Sequence, residues 1–215
     1  MRRNLYNPSL KRMIDVIAAA LGMLFLFPLL IGLAALVYIT MGRPVLYSQR
    51  RIGIYGRPFT IHKFRTMANS YNQEGSILPD EWRMNNFGRA LRACSLDELP
   101  SLWNVLRGEM SLVGPRPLLP EYLTLYSQEQ ARRHEIKPGI TGWAQIHGRN
   151  ALSWEDKFHH DVWYVDHCSF WLDFQILLST IAKVLQREGV SADSHATMPP
   201  FTGSTSQGVE IDRAA

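Results

Sequence analysis

Residues 16–42 read VIAAALGMLFLFPLLIGLAALVYITMG, 27 positions without a charge. As a helix this run would be about 40 Å long, and about 20 apolar residues suffice to cross a bilayer. It is too long for a secretory signal, and no small-residue cleavage site marks the start of a mature domain after it. A buried core helix is the other reading of an apolar run, and the poorer one for 27 uncharged residues near a terminus. Pro28 sits mid-run. There it removes a helical hydrogen bond and clashes with the preceding turn, so a kink is expected.

Both flanks of the run are basic: Arg2, Arg3, Lys11 and Arg12 before it, Arg43, Arg50, Arg51 and Arg57 after it. Positive residues favour the cytoplasmic side. A straight span would push one cluster outward, whereas a helix broken at Pro28 dips into one leaflet and returns. The expectation is a re-entrant helix-break-helix over residues 1–42, hinged at Pro28. Lys11 and Asp15 are spaced for a helix-surface ion pair. Lys11 and Arg12 also suit the headgroup level as anchors.

The chain's 215 residues allow one domain with a sizeable core beside this segment. The formal charge is +4, and 18 of the 23 basic residues are arginine. That bias favours partners needing planar, two-pronged recognition, such as phosphates, nucleotides or lipid headgroups. No nucleic acid is expected among them. The two cysteines form no CxxC and the seven histidines no HExxH, so neither a disulfide framework nor a zinc site is expected.

Beyond the run, Arg43-Pro44 breaks the helix. Residues 59–65, FTIHKFR, alternate as a strand, hairpinned against residues 44–49. Lys63 and Arg65 would share a face, contacting phosphate or merely coating a solvated edge. Residues 69–86 are polar and read as a surface loop.

Residues 92–117, RACSLDELPSLWNVLRGEMSLVGPRP, set Asp97 and Glu98 between Arg92, Arg107 and Arg116. Carboxylates attack phosphorus or hold a divalent metal, and guanidinium groups grip phosphate oxygens. Ser95-Leu96-Asp97-Glu98 also fits the S-x-x-E capping box, a purely structural alternative. Leu99, Leu102, Trp103 and Leu106 give an apolar helical stripe, so a helix over residues 97–107 follows on either reading. A helix start is itself an anion site. Consecutive carboxylates point about 100° apart on a helix, which lets the two play different roles.

SLDELPSLWNVLRGEMSLVGPRP (95–117) resembles the signature of the bacterial monotopic phosphoglycosyl transferases, the initiating sugar transferases of surface-glycan and glycoprotein pathways. KRMIDVIAAALGMLFLFPLL (11–30), GRPVLYSQRRIG (42–53), HKFRTM (62–67) and KPGITGWAQIHGRN (137–150) resemble further family motifs in the same order. Residues 154–191 with the tail HATMPPFTG look most like the short branch acting on UDP-linked N-acetylated sugars such as diacetylbacillosamine.

The resemblance implies a transfer of sugar 1-phosphate from a UDP-sugar to undecaprenyl phosphate, on the cytoplasmic face of the bacterial inner membrane. Asp97 matches the catalytic nucleophile and a Mg²⁺ contact, and Glu98 its partner. Arg92 and Arg116 match phosphate-binding positions, Lys63 the floor of the site, and Arg149 a candidate substrate contact. Pro28 matches the hinge of the re-entrant helix, although Phe27 stands where the family usually has Ser. Membrane lipids and downstream glycosyltransferases are the further partners it implies.

For the rest, residues 118–134 read as a helix, and 140–147 as too rich in β-formers for one. The aromatics of 154–171 suit either a core or a membrane-facing belt. Residues 174–185 read as an amphipathic interfacial helix. The fold class expected is α+β: a re-entrant segment (1–42), a mainly helical catalytic domain with a small β-hairpin (43–190), and a polar tail (191–215).

Overall fold

The computed structural model describes residues 7–68, 75–76, 78, 80–148, 152–186 and 200–203. It is α+β and mostly helical, with two small sheets. Helix α1 (Pro8–Met41) opens on Asn7, whose Oδ1 accepts the Ser9 N–H at 2.9 Å. Pro8 falls in the first turn, where a missing N–H goes unmissed. This helix is long and apolar enough to cross a membrane by length and composition.

The break expected at Pro28 does not interrupt the helix: α1 runs on through it. A proline forfeits a single N–H, and the leucines, alanines and isoleucines on either side keep the helix going. Both ends of α1 are fastened to one domain. Near the start, Arg12 donates to the carbonyls of Val105 (2.5 Å) and Leu106 (2.8 Å), capping a helix end there, and Asp15 accepts the Leu112 N–H at 3.1 Å. At the other end, Arg65 donates to the carbonyls of Met41, Gly42 and Arg43. The two ends of α1 thus lie against the same domain. The stretch between them leaves Leu24, Phe25 and Phe27 exposed.

The expected Lys11–Asp15 pair is replaced. Asp15 is buried on a backbone amide, and Lys11 instead meets Asp173 at 2.5 Å. An exposed i,i+4 pair is a weak attraction, easily displaced by a buried acceptor's need for a donor.

Strands β1 (Leu46–Ile52) and β2 (Pro58–Phe64) form the expected antiparallel hairpin. It packs against α1 on either side of Pro28: Ile61 clusters with Ala19 and Leu102, while Phe64 clusters with Leu33, Val37 and Leu91. After α2 (Asp80–Arg83) and α3 (Asn86–Ala93), the helix expected over 97–107 forms in two pieces. A 3-10 turn covers Leu96–Ser101 and α4 covers Leu102–Arg107. Pro100 disfavours the α conformation at Leu99, so the chain winds tighter first. Strands β3 (Ser111–Val113) and β4 (Gly139–Thr141) pair in parallel.

Two other stretches depart from expectation. Residues 118–134 break into a 3-10 turn (Pro120–Thr124), α5 (Gln128–Ala131) and a second 3-10 turn (Arg132–His134). The β-rich segment holds β4 but then turns into α6 (Trp143–Ile146). The aromatics of α7 (Trp154–His167) are core rather than belt: Phe158 and Tyr164 are buried, and Trp163 stacks on Trp143. Helix α8 (Phe170–Gln186) is amphipathic, burying Leu172 and Ile176 while Trp171, Phe174, Leu178 and Ile181 stay exposed. Of the tail, Phe201 is buried against Tyr122 and Phe158.

Candidate active site

The site begins where α3 ends. Ser95 takes the left-handed conformation (φ 52°, ψ 21°) and its side chain caps nothing. The capping box expected at 95–98 is therefore not formed, and the acid of that box points elsewhere. Glu98 accepts Lys63 Nζ at 2.6 Å and Arg116 Nη2 at 2.9 Å.

Three sets of contacts bring these partners together. Ser101 Oγ donates to the His62 carbonyl at 2.9 Å. Asn104, fully buried, donates to the Thr60 carbonyl and to Glu109 Oε2, both at 2.7 Å, and accepts the His62 N–H at 3.2 Å. These bonds draw β2 against the acidic turn and set Lys63 beside Glu98. The arginine loop is fixed from behind: Arg133 Nη2 donates to the Arg116 carbonyl at 2.7 Å while forming a buried ion pair with Asp161, also 2.7 Å. Gly114 lets this loop lie on the Lys137-Pro138-Gly139 turn, since a Cβ there would fall 2.3 Å from the Lys137 oxygen. Sequence reading passed over Ser101, Asn104, Arg133 and Asp161, because their value lies in partners far along the chain.

Asp97 and Glu98 are neighbours with opposite surroundings. Asp97 is 8% exposed, and its carboxylate takes no hydrogen bond or ion pair from the described residues. Burial, then the charge of Glu98, push its pKa up to about 6 against the pull of Lys63, Arg92 and Arg116. Burial also raises Glu98, but Arg116 and Lys63 outweigh it and hold that group down to about 2. A pair of carboxylates pushed apart in this way divides the labour of acid, base and nucleophile.

Of the other expected residues, Arg92 has its Nε on Thr66 Oγ1 at 3.0 Å and acts on Asp97 through its charge. Arg65 is drawn away from the acid pair: its Nη1 and Nη2 donate to the carbonyls that end α1, a structural clamp. It follows the last residue of β2, where the strand alternation that grouped it with Lys63 no longer holds. Arg107 turns to Glu109 at 3.4 Å. Arg149 lies outside the described residues. Pro28 lies within α1. Arg51, which sequence reading counted only among the basic flanks, lines the same narrow cleft as Lys63, Glu98 and Arg116.

Among the described residues no three His, Cys, Asp or Glu side chains stand together to hold a metal. Mg²⁺ does not require that. It keeps waters and binds through one or two carboxylates plus substrate phosphates. A buried, partnerless Asp97 beside an ion-paired Glu98 fits this mode, with Asp97 as the ligand.

The sequence signature described as bacterial sugar transferase matches residues 6–187. The chain is 53% identical over 195 residues to an uncharacterized sugar transferase, EpsL, of Bacillus subtilis, covering 91% of this chain and 96% of that protein. It is 39% identical to a UDP-galactose-lipid carrier transferase of Erwinia amylovora, over 84% of this chain and 41% of the relative. A UDP-N-acetylgalactosamine-undecaprenyl-phosphate N-acetylgalactosaminephosphotransferase of Aeromonas hydrophila is 35% identical over 82% of this chain and 44% of its own length. The chain thus spans less than half of each of these last two. With its signature matched over most of its length, the chain belongs to the bacterial sugar transferase family.

Proposed function

We propose that this protein transfers a sugar 1-phosphate from a UDP-sugar to undecaprenyl phosphate and releases UMP. The observation that carries the reading is the divided acid pair, with Glu98 clamped by Lys63 and Arg116 while Asp97 stands ionisable and unpartnered. An Asp97 oxygen attacks the sugar-bearing phosphorus. The bond from that phosphorus to the bridging oxygen breaks, and UMP leaves with the electron pair. An oxygen of undecaprenyl phosphate then attacks the same phosphorus and frees Asp97. Splitting one displacement into two lowers the barrier of each. Lys63, Arg92 and Arg116 hold the phosphate oxygens and stabilise their charge. Mg²⁺ held by Asp97 would add Lewis-acid neutralisation of the phosphate oxygens.

The acceptor is a membrane lipid, and the exposed apolar surfaces of α1 and α8 support a seat in one leaflet. Both ends of α1 on one domain, with basic residues at each, fit a re-entrant insertion from the cytoplasmic face. The sugar is N-acetylated on this reading, which rests on the resemblance of residues 154–203. Its product would serve downstream glycosyltransferases as their acceptor. The test is UMP release from UDP-N-acetylgalactosamine, UDP-N,N′-diacetylbacillosamine, UDP-galactose and UDP-glucose, with and without undecaprenyl phosphate. Lipid-dependent release that stops with EDTA and resumes with Mg²⁺ is expected. Sustained release without lipid would instead make the protein a phosphohydrolase. Lipid-dependent turnover of UDP-galactose or UDP-glucose alone would overturn the N-acetylated assignment.

A further inference from the structure

Arg51 enters the cleft from the hairpin. The register pairs Tyr47 with Lys63, Gln49 with Ile61 and Arg51 with Phe59. Side chains of directly paired residues share a face, so Arg51, Ile61 and Lys63 stand along one side of the hairpin. Arg51 faces Phe59, four positions before Lys63, which separates the two cations by about 13 Å along the strands. Between these ends the cleft holds Glu98, Ser101 and Arg116. Its enclosed volume is only about 20 Å³, so a diphosphate meets these side chains at the mouth.

The three cations of the cleft are unequally used. Lys63 and Arg116 both bond to Glu98. Arg51 has one side-chain hydrogen bond, to the neutral Oε1 of Gln49 at 2.6 Å, and no carboxylate among the described residues pairs with it. Glu121 acts on it through charge alone, without an ion pair, and a half-buried guanidinium so weakly balanced is costly unless an anion completes it. Burial first, and then the nearby charge of Arg116, pull the pKa of Arg51 below its ordinary value.

We propose that Arg51 is a further substrate-binding residue, which together with Arg116 holds the phosphate of the departing nucleoside monophosphate. This rests on the transferase reading. In that reaction the nucleophile and the leaving oxygen lie on opposite sides of the phosphorus. Lys63 marks the acid end of the cleft, and Arg51 reaches in from the other end of the hairpin face. When the bridging bond breaks, a new negative charge settles on the monophosphate. A guanidinium waiting there binds more tightly as the reaction proceeds, which is the condition for accelerating the step.

The experiment compares wild type, Arg51→Gln and Arg51→Lys in detergent or nanodiscs. UMP affinity is measured by calorimetry, alongside kcat and the KM for undecaprenyl phosphate. Arg51→Gln is expected to weaken UMP binding tenfold or more and to lower kcat, with the lipid KM within twofold of wild type. Arg51→Lys keeps a point charge but loses the fork, and is expected to bind UMP at least threefold more weakly than wild type. Should Arg51→Gln not fold, Arg51→Lys decides. UMP affinity equal to wild type in either folded variant would overturn the assignment, as would a loss confined to the lipid KM. A wild-type protein that binds UMP yet shows no lipid-dependent turnover would count against the transferase reading itself, leaving the Arg51 measurement standing.

Discussion

Two stretches carry the same local signal and end differently. Ser127-Gln128-Glu129-Gln130 and Ser95-Leu96-Asp97-Glu98 both spell a serine followed three residues later by Glu or Gln. At 127–130 the box closes: Ser127 Oγ accepts the Gln130 N–H at 3.2 Å, and Gln130 Oε1 accepts the Ser127 N–H at 3.0 Å. At 95–98 it stays open, with Ser95 left-handed and Glu98 drawn to Lys63 and Arg116. Gln130 is neutral and half-buried, and its side chain bonds back to the start of its own turn. Glu98 is charged and faces two cations, whose pull exceeds the bond or so a cap supplies. Local signals are overridden where a site needs the side chain elsewhere.

The largest effect expected from breaking the contrast is at Asp97. Asp97→Asn removes the nucleophile while keeping its shape, and turnover should fall by at least about 10³-fold with an unchanged circular dichroism spectrum. Turnover within tenfold of wild type would remove the covalent mechanism. Glu98→Gln comes next. It strips the counter-charge from Lys63 and Arg116, whose side chains are 18% and 48% exposed. Loss of a largely buried partner costs up to about 3 kcal/mol, less what water recovers at the open arginine. The urea midpoint should drop clearly and activity fall about 10²-fold. An unchanged midpoint would show the clamp to be ornamental.

The pH response separates the two acids. Asp97 must be ionised to attack, so the rate should fall about tenfold per unit below about 6. Glu98 is among the causes that raise Asp97, so in the residual activity of Glu98→Gln this acid limb should move to lower pH. An acid limb at the same pH in both proteins would assign it to another group. For stability the signs oppose. Asp97 has a folded pKa above its ordinary 3.8, so it weighs against folding increasingly as pH rises from 3.8 to about 6. Glu98 has a folded pKa of about 2, below its ordinary 4.5, so it stabilises fully above 4.5 and loses that as pH falls toward 2. Urea midpoints of Asp97→Asn should therefore rise relative to wild type between pH 4 and 6. A constant difference across that window would sink the assignment.

What the sequence made legible follows the range of the forces involved. The apolar run, the hairpin and the acid pair rest on periodicity and composition, and each is present in the fold. Lys63, Glu98 and Arg116 came together as the family resemblance implied. Arg65 did not, because one residue past a strand its alternation says nothing, and three carbonyls at the end of α1 claimed it. The supports of the site were illegible for a different reason. Asn104 joins β2 across more than forty positions, and Arg133 reaches both Arg116 and Asp161. No local pattern marks a residue whose partners are that distant. Residues 118–134 failed as one helix because the start at Pro120 winds only a 3-10 turn and Ser127 caps a new helix behind it.

The smallest effects test the two serines directly, and they should differ in sign. Ser127 closes a cap, so Ser127→Ala should lose about 1 kcal/mol and leave turnover untouched. Ser95 makes no cap bond and holds φ at 52°, a conformation that costs a side-chain-bearing residue about 1 kcal/mol. Ser95→Gly should therefore gain up to about 1 kcal/mol, less the entropy a glycine adds to the unfolded chain. Urea midpoints of the two variants moving in opposite directions would show that the same four-residue signal is a cap in one place and a strained turn serving Asp97 and Glu98 in the other. A loss at both positions would mean that the Ser95 hydroxyl stabilises the native turn after all, and that the acid pair sits on an ordinary helix start.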